Sequence, residues 1–325
     1  MKAVLCKAFS TPFQLSIEEV PEPTAGPGQV LIAVKAAGIN FPDSLIVQGK
    51  YQVKPPLPFT PGMEAAGTVL AVGTGVEHLR PGMRVLAHPD LGAFAEKVLA
   101  PAHHAYQIPD AMNFNEAAGF VLAYGTSYNA LKDRAQLKAG ETLLVLGAAG
   151  GIGLTAVELG KLTGAKVIAV ASSAEKLALC EQYGADELID YSHEDLRERI
   201  KQITDGKGID VVYDPVGGAY AEPSIRSLAR YGRYLVMGFA SGEIPKIPLN
   251  LMLLKTSSVV GAFWGQFVAN EPQRNAENMR ELFALYNAGK LHPHISATFP
   301  FEQVAAAIEH VAGRKVLGKA VLTFD

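Results

Sequence analysis

Small residues at positions 147–153 have the composition of a phosphate-binding turn. They read Gly147-Ala148-Ala149-Gly150-Gly151-Ile152-Gly153, between an apolar run at 142–146 and a segment with helical apolar spacing. At such a turn Gly150 lets the backbone approach a pyrophosphate, and Gly153 lets the helix pack closely on its strand. The free N–H groups and the positive dipole end of the helix then hold the anion. The sequence therefore predicts a dinucleotide site.

The match to the dinucleotide pattern G-x-G-x-x-G is incomplete, because Ala148 occupies its first glycine position. The predicted strand and helix flank the turn as the pattern requires, and this context supports binding. The alternative is a glycine-rich connection that binds nothing. The predicted cofactor contacts of the turn are Ala149, Gly150, Gly151, Ile152 and Gly153.

The residues after the next predicted strand, 166–171, indicate which dinucleotide is bound. An NAD-binding protein places an acidic side chain about 20 residues past the glycines, on the ribose 2′-hydroxyl. This chain has Ser172 and Ser173 there, and Lys176 one helical turn later. Hydroxyl and ammonium donors suit a 2′-phosphate, so we predict NADPH as the cofactor. In the alternative, either serine merely caps the helix that begins near Ala174, and Lys176 faces solvent.

Composition limits the classes of protein and partner. The chain has 325 residues, of which 49% are hydrophobic and 19% charged, and its formal net charge is −3. This balance is typical of a folded protein large enough for two domains, and it gives no electrostatic basis for binding nucleic acid or an anionic membrane. No apolar run suits a signal peptide or a membrane span, which predicts a cytoplasmic protein. Cys6 and Cys180, the only cysteines, are expected to be reduced thiols.

Two patterns of apolar residues divide the chain. Residues 1–122 contain short β-like runs between Gly and Pro, at 30–34, 67–73, 83–86 and 94–98, which predict a mostly antiparallel β domain. Residues 123–262 alternate strand and helix patterns, which predicts an α/β fold with a doubly wound parallel sheet. Residues 263–325 carry two helical patterns and a strand at 319–323, and we expect them to return to the first domain. The six parallel strands are predicted at 142–146, 166–171, 187–190, 210–214, 234–237 and 258–261.

Several motifs in this order resemble the zinc-independent quinone oxidoreductase branch of the medium-chain dehydrogenase/reductase superfamily. The resemblance covers essentially the whole chain. It implies a GroES-like β domain together with a Rossmann domain, NADPH as cofactor, and hydride transfer to quinones or to activated carbon–carbon double bonds. It also implies a homodimer. The motifs that carry it lie at residues 36–43, 61–67, 92–96, 125–128, 147–153, 214–218 and 318–320.

The same resemblance bears on metal binding. Zinc-dependent relatives hold a catalytic zinc with a Cys near the position of Asn40 and with a His beside a glutamate, at the positions of Met63 and Glu64 here. The cysteine-rich loop of those relatives is absent between residues 84 and 92. We therefore expect no metal, and expect Glu64 to hold structure by hydrogen bonds. The remaining candidate ligands have no supporting spacing to Cys or acidic residues, and they are His88, His103 and His104.

The resemblance also assigns residues to the acceptor and the nicotinamide. It places Asn40 and Tyr51 at the acceptor, where either could donate to a developing oxyanion, and Thr126 near the nicotinamide. The alternative for Asn40 is a turn residue that bonds its own backbone, and for Tyr51 a rim aromatic. Phe263 and Trp264 would wall the nicotinamide side or be ordinary interface aromatics.

Further cofactor contacts are implied at the 2′-phosphate and beyond the fifth predicted strand of the parallel sheet. Family members place a tyrosine like Tyr191 against the adenosine 2′-phosphate, and Arg314 could serve likewise. The alternatives are an exposed loop aromatic and a solvated arginine. Gly238 and Phe239 complete the predicted cofactor-binding set.

The expected chemistry follows from the lack of a Lewis acid. Simple ketones gain little without a metal to polarise them, whereas quinones and conjugated carbonyl compounds need much less help. We therefore predict an NADPH-dependent quinone reductase. The alternatives are a reductase of conjugated enals, enones or enoyl thioesters, and a non-catalytic NADPH-binding protein.

Overall fold

Fifteen β-strands and eleven α-helices make up the protein, in a computed structural model that describes all 325 residues. The strands are β1 Lys2–Cys6, β2 Leu15–Glu19, β3 Gln29–Ile39, β4 Ala65–Val72, β5 Arg84–Ala87, β6 Lys97–Pro101, β7 Ala105–Gln107, β8 Thr142–Leu146, β9 Lys166–Ala171, β10 Glu187–Asp190, β11 Ile209–Asp214, β12 Leu228–Val236, β13 Ser258–Gly261, β14 Ile295–Pro300 and β15 Lys319–Thr323.

The helices alternate with the strands most regularly between residues 142 and 261. They are α1 Phe41–Ile46, α2 Phe114–Ala118, α3 Val121–Tyr128, α4 Gly151–Thr163, α5 Ala174–Gln182, α6 Leu196–Ile203, α7 Ala221–Arg226, α8 Asn250–Lys255, α9 Trp264–Asn270, α10 Pro272–Asn287 and α11 Val304–Ala312. A π-helical segment, Asn129–Arg134, follows α3 directly. None of the helices is both long enough and apolar enough to cross a bilayer.

The chain divides into two units. The first comprises Met1–Leu122 and Met279–Asp325, and the second comprises Ala123–Asn278. The predicted return to the first domain at residue 263 is therefore wrong, since residues 263–278 stay with the second unit. Two contacts explain this: the Trp264 indole packs on Gly125, and the Asn278 amide donates to the Asp133 carboxylate at 2.8 Å.

The first unit is built on a mostly antiparallel seven-stranded sheet. Its order is β14-β15-β3-β4-β5-β7, and β6 pairs with β3; only β14 and β15 are parallel. Apolar side chains such as Val30, Ile32 and Phe94 are completely buried in its core. β15 pairs with β3 so that Ala320 faces Ile39, and β4 pairs with β3 so that Ala65 faces Ala37. These two registers bring residues 40, 64 and 319 to one place.

The second unit contains a six-stranded sheet in the order β10-β9-β8-β11-β12-β13, with every pair parallel. In chain order this is the 3-2-1-4-5-6 arrangement of a dinucleotide-binding fold. Residues 143–146 of β8 are buried, as expected for a central strand covered on both faces. Together, the two sheets confirm the predicted fold class, an α/β protein with a doubly wound parallel sheet and a mostly antiparallel GroES-like domain.

Candidate active site

The glycine-rich turn lies at the carboxyl end of β8, where α4 begins. A Cβ atom on Gly153 would lie 2.3 Å from the Gly147 carbonyl oxygen and 2.9 Å from the Ala148 Cα. Both neighbours are backbone and cannot move aside, so only glycine fits. Gly147 itself has a φ of +60°, a conformation that glycine adopts without strain. The turn is therefore shaped by its glycines, as the sequence predicts.

The amino end of α4 has the donors that an anion requires. Gly150 is its N-cap residue, and no side chain caps the helix. The first-turn N–H groups of Gly151, Ile152 and Gly153 have no acceptor within the helix. A helix of 13 residues also carries a positive dipole end at this point. These residues fit the pyrophosphate of a dinucleotide.

Polar side chains follow β9 in the position that selects the cofactor. The Ser173 hydroxyl accepts a hydrogen bond from the Lys176 N–H at 3.4 Å and so caps α5. The Lys176 ammonium donates to the Ser172 hydroxyl at 3.1 Å. The capping alternative is therefore seen for Ser173, while Lys176 turns toward the serines rather than away from them. No carboxylate occupies residues 171–173.

Tyr191 lies beside this serine and lysine group because β10 and β9 are neighbours. Its N–H donates to the Ala171 carbonyl at 3.2 Å, and the next hydroxyl, of Ser192, donates to the Ser172 carbonyl at 3.1 Å. The Tyr191 ring packs on the Tyr220 ring with centroids 4.7 Å apart. The second unit thus brings together four of the predicted cofactor residues: Ser172, Ser173, Lys176 and Tyr191.

Gly238 and Phe239 lie against the turn that follows β11. The Ala240 N–H donates to the Pro215 carbonyl at 3.0 Å, and a Cβ atom on Gly217 would lie 2.9 Å from the Phe239 ring. Both residues therefore sit at the same edge of the sheet as the glycine-rich turn, where parallel sheets of this kind bind their ligands.

A buried carboxylate, that of Asp214, organises this second turn. Asp214 accepts hydrogen bonds from the Val216 N–H at 2.6 Å, from the Gly217 N–H at 2.8 Å and from the Tyr234 hydroxyl. Burial raises the pKa of Asp214, and these donors oppose that effect. Asp214 holds the backbone beside Phe239. Only its place at the end of an apolar strand could have indicated such a role.

The other four predicted cofactor residues lie outside the groups described so far. Thr126 is half-buried on α3. Trp264 is 5% exposed against Gly125, as the packing alternative predicts, whereas Phe263 is 51% exposed. Arg314 is an exposed residue of the first unit, just after α11. Arg314 therefore does not belong to the unit that contains the glycine-rich turn.

The first unit holds a buried polar cluster of Asn40, Glu64 and Lys319. The Asn40 Nδ2 donates to Glu64 Oε1 at 2.8 Å, and the Lys319 Nζ donates to the same oxygen at 2.6 Å. Lys319 also donates to Asn40 Oδ1 at 2.6 Å. The three residues are 7%, 0% and 6% exposed. Asn40 therefore bonds across strands, rather than only to the turn that contains it.

Counting donors in this cluster leaves one N–H uncommitted. The third ammonium donor of Lys319 goes to the Ile39 carbonyl at 3.1 Å, and the Asn40 backbone N–H goes to Asp43 Oδ2 at 2.7 Å. Glu64 Oε2 accepts from the Leu122 N–H at 3.1 Å. An asparagine amide has two N–H groups, and only one is used. The second N–H of Asn40 is the donor that remains for a ligand.

Comparisons with known proteins agree with this geometry. Residues 26–110 match the family model described as alcohol dehydrogenase GroES-like domain, and residues 151–284 match the one described as zinc-binding dehydrogenase. Quinone oxidoreductase-like protein 2 homolog of Nematostella vectensis is 40% identical over 99% of this chain and 88% of its own length. The Escherichia coli quinone oxidoreductase, solved in complex with NADPH, is 31% identical, with a TM-score of 0.93 over 100% of both chains.

The chain belongs to the quinone oxidoreductase family of the medium-chain dehydrogenase/reductase superfamily. The resemblance predicted from the motifs is thereby confirmed. This family member is an oxidoreductase with a nicotinamide cofactor. It is also similar to the synaptic vesicle membrane protein VAT-1 homolog of Homo sapiens, at 36% identity over 92% of this chain and 80% of that protein.

The residues of this family member do not fit a catalytic zinc. No three His, Cys, Asp or Glu side chains are grouped where they could hold a metal ion. Asn40 and Met63 offer an amide and a thioether in place of the imidazole and thiolate that zinc prefers. The His88 ring is bonded to the Met63 carbonyl through Nδ1, at 2.6 Å. Burial, together with the nearby His103 and His88, lowers the pKa of His104 to about 4, so that ring is neutral at pH 7.

Two titratable groups flank the Asn40 cluster. Burial raises the pKa of Asp43 to about 7, against the opposing effects of the Asn40 N–H and the Lys319 ammonium. Burial also raises the pKa of the half-buried Tyr51, and negative charge on Asp43 adds to this. Tyr51 therefore keeps its hydroxyl proton at neutral pH, as a hydrogen-bond donor must.

Proposed function

We propose that this protein reduces quinones with hydride from NADPH and without a metal ion. The observation that carries the proposal is the Asn40 amide, which has one uncommitted N–H and is held by Glu64 and Lys319 where a zinc enzyme would have ligands. A neutral donor fixed in a buried cluster can stabilise negative charge as it develops on an acceptor oxygen. When bound, NADPH supplies the hydride.

The serine and lysine group after β9 supports NADPH over NADH. The Ser172 hydroxyl and the Lys176 ammonium lie 3.1 Å apart, and both can donate to a phosphate. Residues 171–173, directly after β9, include no acidic side chain of the kind that binds a free ribose 2′-hydroxyl in NAD-binding proteins. The Escherichia coli relative, which was solved with NADPH, agrees with this choice.

Quinones suit this site because they accept hydride without Lewis-acid activation. The Asn40 amide and the Tyr51 hydroxyl can stabilise an oxyanion by donating hydrogen bonds, but they cannot polarise a carbonyl group as a metal ion does. Conjugated enals and enones develop the same charge on oxygen, so a reductase of such compounds is the second candidate. The similarity to the VAT-1 homolog is the reason to test the non-catalytic alternative as well.

The proposal is tested by mixing the purified protein with NADPH and a panel of quinones, enals and enones, and following NADPH absorbance. We expect turnover with quinones, and we expect dialysis against a strong chelator to leave turnover and fold unchanged. Tight NADPH binding without turnover on any acceptor would favour the non-catalytic alternative. If the protein contains stoichiometric zinc and loses its activity when the zinc is removed, the metal-free assignment is overturned.

We also propose that the protein forms a homodimer through α8 and β13 of the second unit. β13 is an edge strand, and an unpaired edge is a template for pairing with another chain. Val259 on β13 is 48% exposed, while Leu249 and Leu253 beside or on α8 are 81% and 80% exposed. Such apolar exposure is typical of an interface.

Light scattering should give the mass of a dimer for the unmutated protein and the mass of a monomer for Leu253→Asp. A monomer mass for the unmutated protein would contradict the proposal.

A further inference from the structure

The Asn40 amide lies between a group that only donates and a group that only accepts. Its oxygen faces the Lys319 ammonium at 2.6 Å, and its nitrogen faces the Glu64 carboxylate at 2.8 Å. An ammonium has no acceptor, and an ionised carboxylate has no donor. A flipped amide would put nitrogen against ammonium and oxygen against carboxylate. The two charged neighbours therefore permit one orientation of the amide.

Neither neighbour is free to turn away from Asn40. Lys319 uses all three ammonium donors, on the Ile39 carbonyl, the Asn40 oxygen and Glu64. Glu64 uses its second oxygen to accept the Leu122 N–H at the start of α3, and its side chain is completely buried. Rotation of either side chain would leave a buried charge without partners, which is costly.

The backbone also fixes Glu64 from its other side. The Gly38 N–H donates to the Glu64 carbonyl at 3.2 Å, and a Cβ atom on Gly38 would lie only 2.3 Å from Glu64 Oε1. Position 38 must therefore lack a side chain for the carboxylate to reach the Asn40 nitrogen. The Ala118 carbonyl oxygen, which would also lie 2.3 Å from such a Cβ atom, excludes a side chain at this position as well.

We propose that Glu64 and Lys319 are positioning residues, which hold the Asn40 amide so that its second N–H is aimed at the acceptor oxygen. The inference rests on the proposed function, in which that N–H stabilises the charge that develops on the acceptor. Neither charged side chain touches the substrate: each acts through Asn40. The preference for acceptors that develop negative charge on oxygen therefore depends in part on Lys319, which lies 279 residues after Asn40 in the sequence.

The most informative single change is Glu64→Gln, which keeps the shape and adds an NH₂ group. That group must face either the Leu122 N–H or the pair formed by Asn40 Nδ2 and Lys319 Nζ, so one donor always opposes another. We expect the rate of hydride transfer to fall by about tenfold or more, with NADPH affinity unchanged. The matched control is Glu116→Gln, whose carboxylate caps α2 and accepts from Tyr286 without contacting Asn40.

A double-mutant cycle separates positioning from mere support of the fold. Single-turnover hydride transfer to one quinone is measured for the unmutated protein, Glu64→Gln, Asn40→Ala and the double variant. If Glu64 acts through Asn40, Glu64→Gln changes the rate by less than about twofold once Asn40 is alanine. Rates that fall by the product of the two single effects would overturn the inference. Absence of turnover in the unmutated protein is a separate result, and it would overturn the proposed function as well.

A second variant covers the case in which Glu64→Gln does not fold. Lys319→Met with Glu64→Gln removes both charges, and replacing a buried ion pair by neutral groups is often tolerated. We expect a thermal transition near that of the unmutated protein, with slower hydride transfer and an unchanged acceptor KM. A folded double variant with undiminished hydride transfer would show that the pair does not position Asn40.

Discussion

Replacing Asn40 by alanine is expected to slow hydride transfer on the order of 100-fold and to leave NADPH affinity nearly intact. The side chain supplies the one uncommitted N–H of the buried cluster. Losing it removes an interaction that strengthens only as negative charge develops, so the rate should change more than binding. Single-turnover measurements with one quinone and one enone separate this step from product release.

Two further variants sharpen the result for Asn40. Asn113→Ala removes an asparagine that caps α2 of the same unit, at 3.0 Å from the Glu116 N–H, and so controls for lost stability. Tyr51→Phe keeps the ring and removes only the hydroxyl, which tests whether Tyr51 donates or only shapes the pocket. A change in acceptor KM alone for Asn40→Ala would show that Asn40 shapes the pocket and does not stabilise charge.

Replacing Lys176 by alanine is expected to weaken NADPH binding by roughly 1.5 to 3 kcal/mol, with much less effect on NADH. The ammonium lies 3.1 Å from the Ser172 hydroxyl, so one change removes the positive charge of the group after β9. The two cofactors differ only at the 2′-phosphate, and the comparison therefore isolates that contact. Dissociation constants from fluorescence titration of both cofactors measure the effect.

The control for Lys176 is Lys201→Ala, which removes an exposed ammonium from α6 of the same unit. It should leave the affinities for both cofactors as they are. Equal dissociation constants for NADPH and NADH in the unmutated protein would contradict the cofactor preference before any mutation is made.

Local patterns predicted the second unit well. Each of its six strands was expected from an apolar run, and the glycine-rich turn from small residues between a strand and a helix. These signals are short-range, because a strand is buried by helices adjacent to it in sequence. β12 is the exception: it begins at Leu228, well before the predicted residue 234, because residues 229–233 include two arginines and a glycine and so lack an apolar run.

The first unit was predicted less completely, for a physical reason. β1 and β2 pair with each other, and β2 is only half-buried, so it lacks the apolar run that marks a strand. Lys319 was noted within a motif and a strand, but not as the partner of Asn40 and Glu64. The ion pair forms between residues 255 positions apart, and no periodicity in a single sequence reports such a distance.

The discontinuity of the first unit imposes an order on how the protein is made. A ribosome adds roughly 5–20 residues per second, so tens of seconds separate the synthesis of Asn40 from that of Lys319. The second unit is one continuous segment, Ala123–Asn278, and can be complete while the first unit still lacks β15. During that interval the Glu64 carboxylate has no ammonium to pair with. A nascent chain can thus assemble its nucleotide-binding fold early, but it acquires an oriented Asn40 only after translation has passed β15.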